Sequence, residues 1–295
     1  MDIAITGSTG LIGSALVERL GEHGHQVARV TRSGTDGIHW DPAKGEIDAA
    51  SLEGIGAVIH LAGEGIAEKR WTDQQKRTIL DSRVDGTTLL ASTLAALDRP
   101  PTVLLSGSAI GFYGDRGDAS LTETDAPGDD FLAGVVVAWE GATAAAEAAG
   151  IRVAHLRTGI VLSRAGGVLK KLLPLYRLGL GGKLGSGRQY MSWVGIDDEV
   201  AMIEWLLSND VSGAVNLTGP APVTNHDFTK ALGSVLGRPT FLAVPSFGPK
   251  LLLGSELAQG LLFSSARVLP EVATTHGYEF AHRTVEDALR SLLDR

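Results

Sequence analysis

A short glycine pattern near the start of the sequence limits the folds open to this chain. The apolar run Ile3-Ala-Ile5 leads into a turn from Gly7 through Gly10 to Gly13, and residues 14–23 then carry apolar side chains at helical spacing. A second strand is predicted at 26–31. Glycine lets the backbone turn sharply, lets a phosphate approach, and lets a helix pack closely on a strand. The pattern predicts a dinucleotide site, with an ordinary glycine-rich turn as the alternative.

The residues that end the second strand indicate which dinucleotide is bound. An NAD site usually places Asp or Glu here, where the carboxylate accepts a hydrogen bond from the ribose 2′-hydroxyl. This chain has Thr31-Arg32-Ser33, whose guanidinium and hydroxyls suit a 2′-phosphate. NADP(H) is therefore predicted in preference to NAD(H). Two alternatives are a solvated surface role for Arg32 and a ribose contact by Asp36.

Composition excludes several classes of partner. The formal charge of -8 and the pI near 5.5 argue against nucleic acid, which needs a basic surface. With no cysteine, disulfides and thiolate metal sites are excluded, and no metal site is predicted. No signal peptide is recognised, and no uninterrupted apolar run approaches the length of a membrane span. A cytoplasmic protein without a membrane partner is expected.

Strand and helix patterns alternate through the first half of the chain. Buried strands are predicted at 57–63, 102–106 and 153–157, with helices at 72–97 and 129–149 between them. Alternation of this kind is typical of an α/β protein with a Rossmann-like, doubly wound parallel sheet. We predict a dinucleotide-binding domain over 1–165, which a strand at about 213–219 rejoins, and a smaller, mainly helical substrate-side region over 166–295.

Hydroxyl side chains mark a second loop of interest. Ser106, Ser108 and Tyr113 lie at or just after the carboxyl end of the strand at 102–106, the edge where ligands bind in such sheets. They could polarise a carbonyl group, although Ser and Gly also serve any tight loop. The acidic pair Asp197 and Asp198 precedes a helical pattern, so a first-turn role is favoured over a paired-carboxylate site. The glycine-rich stretch 179–190 is interpreted as a lid or substrate-side hairpin.

Six motifs follow one another along the chain: Thr6-Gly-Ser-Thr-Gly-Leu-Ile-Gly13, His60-Leu-Ala-Gly63, Ser108-Ala-Ile-Gly-Phe-Tyr-Gly114, Trp139-Glu140, Arg157-Thr-Gly-Ile-Val-Leu162 and Trp193-Val-Gly-Ile-Asp-Asp198. Taken together, these motifs resemble the extended short-chain dehydrogenase/reductases, and more narrowly the nucleoside-diphosphate-sugar epimerase branch of the NAD-dependent epimerase/dehydratase superfamily. The resemblance implies cofactor contacts from Gly7, Thr9, Gly10, Leu11, Ile12, Gly13, Arg32, His60, Leu61, Ala62, Gly63 and Arg157. Relatives of this kind often dimerise through the two long helices, which leaves a homodimer open.

One part of the family's machinery is missing. The family uses a Tyr-x-x-x-Lys pair, in which the phenol exchanges a proton with substrate and the ammonium lowers the pKa of that phenol. The matching positions here are Leu132 and Val136, and Arg83 replaces a usual Asn. The leading hypothesis is an NADP(H)-binding, atypical oxidoreductase or epimerase that acts on a sugar nucleotide or another small carbonyl or hydroxyl compound.

Within that hypothesis, Ser108, with Ser106 as a substitute, would hold the substrate oxygen and Tyr113 would donate the proton. Two other hypotheses remain. The first is a catalytically inactive, NADP(H)-responsive binding or regulatory protein. The second is a structural protein with a vestigial glycine turn, which predicts no affinity for a dinucleotide.

Overall fold

In the computed structural model, which describes residues 1–33 and 37–294, an eight-stranded sheet runs through the middle of the protein. The strands of the described chain are β1 (Asp2–Thr6), β2 (Gln26–Thr31), β3 (Ile38–Asp41), β4 (Glu46–Ile47), β5 (Ala57–His60), β6 (Val103–Ala109), β7 (Ser120–Leu121), β8 (Arg152–Thr158), β9 (Ile160–Leu162), β10 (Gly182–Leu184), β11 (Tyr190–Met191), β12 (Trp193–Gly195), β13 (Gly213–Leu217), β14 (Val223–Thr224), β15 (Leu242–Val244) and β16 (Arg267–Val268). The sheet has the order β13-β8-β6-β5-β1-β2-β3-β4, and its strands pair in parallel except β3 with β4.

Helices cover both faces of this sheet. The described helices are α1 (Leu11–Glu22), α2 (Asp73–Ala95), α3 (Phe131–Gly141), α4 (Ala144–Ala148), α5 (Gly167–Arg177), α6 (Ile196–Ser208), α7 (Asn225–Leu236), α8 (Phe247–Leu253), α9 (Ser255–Ala258), α10 (Glu271–Thr275) and α11 (Val285–Leu293). Side chains alternate between the faces along β1, where Ile3 and Ile5 enter one apolar cluster and Ala4 enters another. A doubly wound sheet of this kind confirms the predicted fold class.

The order of the strands places the glycine turn at the sheet's switch point. From β1 the chain proceeds outward through β2 and β3 on one side, and through β5, β6, β8 and β13 on the other. Ligands in such sheets bind outside the carboxyl ends of the strands, where the order reverses. Thr6 and His60 end the two strands at that point. The division of the chain near residue 165 stays a prediction.

The predicted helix at 129–149 forms as two helices. α3 ends at Gly141 and α4 begins at Ala144, because the Thr143 hydroxyl donates to the Glu140 carbonyl oxygen at 2.8 Å and competes with the helical pattern. The run Phe131–Ala148 has the length and composition of a membrane span, and a third of it is buried inside the protein. α3 packs on β6 and on the 3-10 turn Ile110–Tyr113.

The acidic pair at 197 and 198 lies in the first turn of α6, as expected. Asp198 has a further role, because its carboxylate accepts hydrogen bonds from the Tyr278 phenol and from the backbone amides of Ala281 and His282. It therefore fixes the C-terminal segment onto the start of α6.

Candidate functional site

The glycine turn is dictated by close packing around β1. Gly7 has φ +67°, and a Cβ added there would lie 2.7 Å from the Leu61 carbonyl carbon. A Cβ added at Gly13 would lie 2.2 Å from the Gly7 carbonyl oxygen. Thr9 and Gly10 are exposed, and Gly10 is the N-cap of α1. The turn therefore leaves the positive end of α1 open to solvent, which suits a pyrophosphate.

The other residues expected to contact the cofactor surround this turn. Leu11 and Ile12 begin α1 and are half-buried. The backbone amides of Leu61 and Ala62 donate to the Thr6 hydroxyl oxygen at 3.1 and 3.2 Å, which holds the end of β5 against β1. Gly63 is exposed beside the Arg83 side chain.

His60 is placed differently from its expected cofactor-lining role. Its ring is fully buried, with Nδ1 at 2.7 Å from the Thr6 hydroxyl oxygen and Nε2 at 3.0 Å from that of Thr87. Since two amides already donate to Thr6, its hydroxyl proton goes to Nδ1, and the ring proton sits on Nε2. Burial, with a smaller effect of the Arg83 charge, lowers the pKa of His60 to about 4. His60 is a neutral structural link between strands and α2.

The residues predicted for a 2′-phosphate lie at the carboxyl end of β2. Arg32 and Ser33 are exposed, and the Ser33 and Thr31 hydroxyls are 3.4 Å apart. Asp36 lies outside the described residues. Arg29, which the sequence reasoning did not single out, donates from Nη1 to the Ser8 carbonyl oxygen at 3.1 Å. The Arg29 guanidinium therefore lies against the glycine turn.

A buried ion pair lies at the end of β6. The Ser108 hydroxyl donates to Glu140 Oε1 at 2.6 Å, and Arg157 donates from Nε to Oε1 at 2.8 Å and from Nη2 to Oε2 at 2.9 Å. Burial alone would raise the pKa of Glu140, but the hydrogen bonds from Arg157 and Ser108 and the charge of Arg157 outweigh it, so the pKa is lowered. Glu140 is therefore an ionised carboxylate at neutral pH.

Tyr113 belongs to the same network. Its phenol is fully buried, donates to Asn216 Oδ1 at 2.7 Å and accepts from Arg157 Nη1 at 3.1 Å. Burial raises the pKa of this phenol despite the neighbouring Arg157. The hydroxyl proton of Tyr113 is thus used in a hydrogen bond to Asn216 inside the protein. A catalytic role for Tyr113 stays a prediction without support from this geometry.

Two more predicted residues are enclosed by the fold. All three guanidinium nitrogens of Arg157 donate hydrogen bonds within the protein. The guanidinium carbon Cζ lies 3.4 Å from the centre of the Phe112 ring. Arg157 therefore holds Glu140 and Tyr113, whereas a cofactor contact was expected. Ser106 is fully buried in β6, and its hydroxyl has no hydrogen-bond partner in the described chain.

The positions of the absent Tyr-x-x-x-Lys pair lie on α3. Val136 is buried in a small apolar cluster with Phe112 and Tyr113, and Leu132 lies against Gly111. Glu140 follows Val136 by one helical turn and Leu132 by two, so all three share one face of α3. The sequence reasoning recognised Trp139-Glu140 only as a family motif. The four- and eight-residue spacing was the signal that could have placed Glu140 in the site.

Comparisons with known proteins agree with this description. The family model for the NAD-dependent epimerase/dehydratase family matches residues 3–218, and a domain of unknown function, DUF1731, matches residues 244–292. The chain therefore belongs to the NAD-dependent epimerase/dehydratase family. This confirms the resemblance found in the sequence and the nicotinamide dinucleotide that the glycine turn predicts.

Within the family, the chain is similar to several proteins over its whole length. Epimerase family protein MT2273 of Mycobacterium tuberculosis is 43% identical over 291 residues, which cover 97% of this chain and 96% of the relative. The crystal structure of human epimerase family protein SDR39U1 with NADPH matches with a TM-score of 0.90 at 31% identity, covering 100% and 99% of the two chains. A nucleoside-diphosphate sugar epimerase from Corynebacterium glutamicum matches with a TM-score of 0.82 at 37% identity, but this chain covers only 58% of it.

Proposed function

We propose that this protein is an NADP(H)-dependent oxidoreductase or epimerase that acts on a hydroxyl or carbonyl group of a sugar nucleotide or another small substrate. The observation that carries the proposal is the Ser108–Glu140 hydrogen bond, held by Arg157 at the carboxyl end of β6. It lies at the same sheet edge as the glycine turn. The human relative was crystallised with NADPH, and the Corynebacterium relative is described as a nucleoside-diphosphate sugar epimerase, which supports the cofactor and the substrate class.

The residues present fit NADP(H). Thr9 and Gly10 are exposed at the start of α1, so a pyrophosphate can approach the N-terminus of this helix. Arg32, with Thr31 and Ser33 beside it, would hold the 2′-phosphate. When bound, the nicotinamide accepts a hydride from the substrate carbon or returns one to it.

Proton transfer is assigned to Ser108 and Glu140. Because the Ser108 hydroxyl proton points to Glu140, its lone pairs are free to accept a hydrogen bond from a substrate hydroxyl. As that hydroxyl becomes a carbonyl, its proton passes to Ser108 while the Ser108 proton passes to Glu140. The proton therefore ends on the Glu140 carboxylate. In this scheme Arg157 orients Glu140 and keeps it ionised before the transfer.

The second candidate function is an NADP(H)-responsive binding protein without turnover. It is favoured by the apolar residues Leu132 and Val136 at the positions where the family places its proton donor and lysine. Both candidates share the cofactor site and differ in whether Glu140 accepts a proton. A cytoplasmic location and a homodimer are further parts of the proposal, and no nucleic-acid partner is included.

Calorimetric titration of cofactor-stripped protein tests the cofactor. NADPH should bind more tightly than NADH, and Arg32→Ala should weaken NADPH binding by about tenfold or more through the lost charged contact while leaving NADH binding unchanged. Arg77→Ala, which removes an exposed arginine from α2, is the matched control and should have no effect. Equal loss with both nucleotides would assign Arg32 to another role, and no binding of either would overturn the proposal.

Turnover with a panel of sugar nucleotides and small carbonyl compounds tests the chemistry. Glu140→Gln should reduce turnover by about 100-fold or more and leave NADPH affinity intact, because the amide cannot accept the proton. Glu147→Gln, in the following helix, is the control. Activity should fall as pH drops through the lowered pKa of Glu140. Full activity in Glu140→Gln would remove Glu140 from the mechanism, and inactivity of the natural protein towards the whole panel would favour the binding protein.

A further inference from the structure

Exposed apolar side chains are concentrated on one part of the C-terminal region. In the described chain, ten large hydrophobic residues are exposed, and eight of them lie between residues 175 and 252. We call these eight the cap patch: Leu175, Leu178, Leu180, Phe241, Leu242, Phe247, Leu251 and Leu252. Phe241 is 80% exposed and Leu251 is 78% exposed, so these side chains project from the surface. Soluble surfaces rarely gather apolar residues in this way without a partner.

The elements that carry the cap patch are neighbours in the fold. β10 pairs in parallel with β15, which brings the segment after α5 beside the segment that leads into α8. The Gly185 amide donates to the Val244 carbonyl oxygen at 2.9 Å and continues this pairing. None of the residues of α8 is buried. Arg70 donates to the carbonyl oxygens of Leu251 and Leu252 at 2.8 and 2.9 Å, which fixes the backbone and leaves both side chains in solvent.

The same segments are mainly basic, and the acidic residues Asp227 and Glu256 lie directly at their borders. Residues 164–196 and 228–255 contain nine of the 26 Lys and Arg residues of the chain and none of its 34 Asp and Glu residues. Most of the nine are exposed, among them Lys170, Lys171 and Arg177 on α5 and Lys230 on α7. All 34 Asp and Glu residues therefore lie in the rest of the chain, which is strongly acidic. The total charge of -8 therefore conceals a surface of opposite sign around the cap patch.

A pocket of about 400 Å³ opens within this basic surface. Its lining residues are Lys183, His226, Lys230, Thr240, Phe241 and Leu242. Two lysines, a histidine and a threonine therefore line one space, and Phe241 stands at its rim with most of its ring in solvent. Ammonium and hydroxyl groups suit a phosphodiester, and an exposed phenyl ring beside it suits acyl chains.

We infer that the cap patch docks on a membrane surface that carries anionic phospholipids. Apolar side chains that project individually from a basic surface enter the boundary between headgroups and acyl chains, while the lysines attract anionic headgroups. A second copy of the chain joined through the same face would bring two basic surfaces together, which opposes a symmetric dimer there. The sequence predicts no membrane partner because no apolar run approaches the length of a membrane span, but docking on a membrane surface needs no such run. Docking of this kind places the protein on a membrane without crossing it.

Sedimentation with extruded vesicles tests this inference on the full chain. The protein should bind vesicles of phosphatidylcholine mixed with phosphatidylglycerol at least about tenfold more strongly than vesicles of phosphatidylcholine alone, and salt should weaken the binding. The double variants Phe241→Ala/Phe247→Ala and Lys183→Gln/Lys230→Gln should each lose at least about tenfold in binding. Val137→Ala and Lys44→Gln are controls at exposed positions outside the cap patch, and both should bind normally.

Three results would overturn the inference. They are absence of binding to the anionic vesicles at low salt, equal binding to neutral vesicles, and binding that both double variants retain. Light scattering supplies a fourth: a dimer of the natural protein that Phe241→Ala/Phe247→Ala dissociates would show that the cap patch joins copies of this chain. Circular dichroism of each variant confirms that lost binding does not come from unfolding.

Discussion

The glycine turn and the Ser108–Glu140–Arg157 network lie at the same edge of one sheet, but they are built in opposite ways. The turn draws on residues 7 to 13, and its own backbone excludes a side chain at Gly13, whereas the limit at Gly7 comes from the backbone of Leu61 after β5. The network joins Ser108 on β6, Glu140 on α3 and Arg157 on β8, and each contact spans many positions of the chain. A site set by local backbone geometry leaves a readable motif. A site set by tertiary contacts does not.

The largest effect on cofactor binding is expected where the turn is most crowded. Gly13→Ala should destabilise the protein by about 3 kcal/mol and abolish NADPH binding, because the added Cβ would lie 2.2 Å from the Gly7 carbonyl oxygen. Gly21→Ala, in the same helix and with nothing within 4 Å, should be neutral or stabilising by about 0.5 kcal/mol. Denaturant unfolding and calorimetric titration measure both. Normal NADPH affinity in Gly13→Ala would mean that the turn does not hold the pyrophosphate.

A buried acid beside the network should make stability depend on pH. Glu199 is fully buried and accepts a hydrogen bond from Thr158 at 2.8 Å, and burial raises its pKa to about 8 from an ordinary 4.5. Between those values the folded chain keeps a proton that the unfolded chain has lost, so stability falls as pH rises. The slope is at most about 1.4 kcal/mol per pH unit.

Glu199→Gln removes this titration and keeps an acceptor for Thr158. Its free energy of unfolding should exceed that of the natural protein at pH 8 and approach it at pH 5. Urea unfolding at a series of pH values measures the difference, and Glu18→Gln, on the exposed side of α1, serves as control. Parallel pH profiles for the natural protein and Glu199→Gln would show that Glu199 is already charged in the folded state.

The smallest effect is expected at Tyr113. Tyr113→Phe should cost about 1–2 kcal/mol of stability, because Asn216 and Arg157 each lose a buried hydrogen-bond partner. NADPH affinity should not change, and turnover should persist if Glu140 accepts the proton. Abolished turnover with intact stability would restore Tyr113 as the proton donor and would weaken the contrast between turn and network.

Sequence reasoning predicted the fold and the cofactor for a physical reason. The main strands and helices arise from periodicity within a few residues, and the steric limit at Gly13 is equally local. The roles of His60 and Arg157 were assigned from motifs, but their partners lie on distant elements. Glu140 lies four residues after Val136 and eight after Leu132, and this helical spacing was not used to place it in the site. The basic charge around the cap patch was not recognised from the sequence, because the net charge of the chain does not show where charged residues lie in the fold.

His60 also helps to fix the distance between the two parts of the candidate site. Thr6, His60, Thr87 and Trp139 form an unbroken series of buried side-chain hydrogen bonds from the last residue of β1 to the residue before Glu140. All four residues are buried and bond directly to one another, so the length of this series does not depend on intervening water. The series therefore works as a spacer that fixes the distance between the glycine turn and the Ser108–Glu140 pair. Under the proposed function, a fixed distance of this kind leaves little reorganisation for the reaction itself.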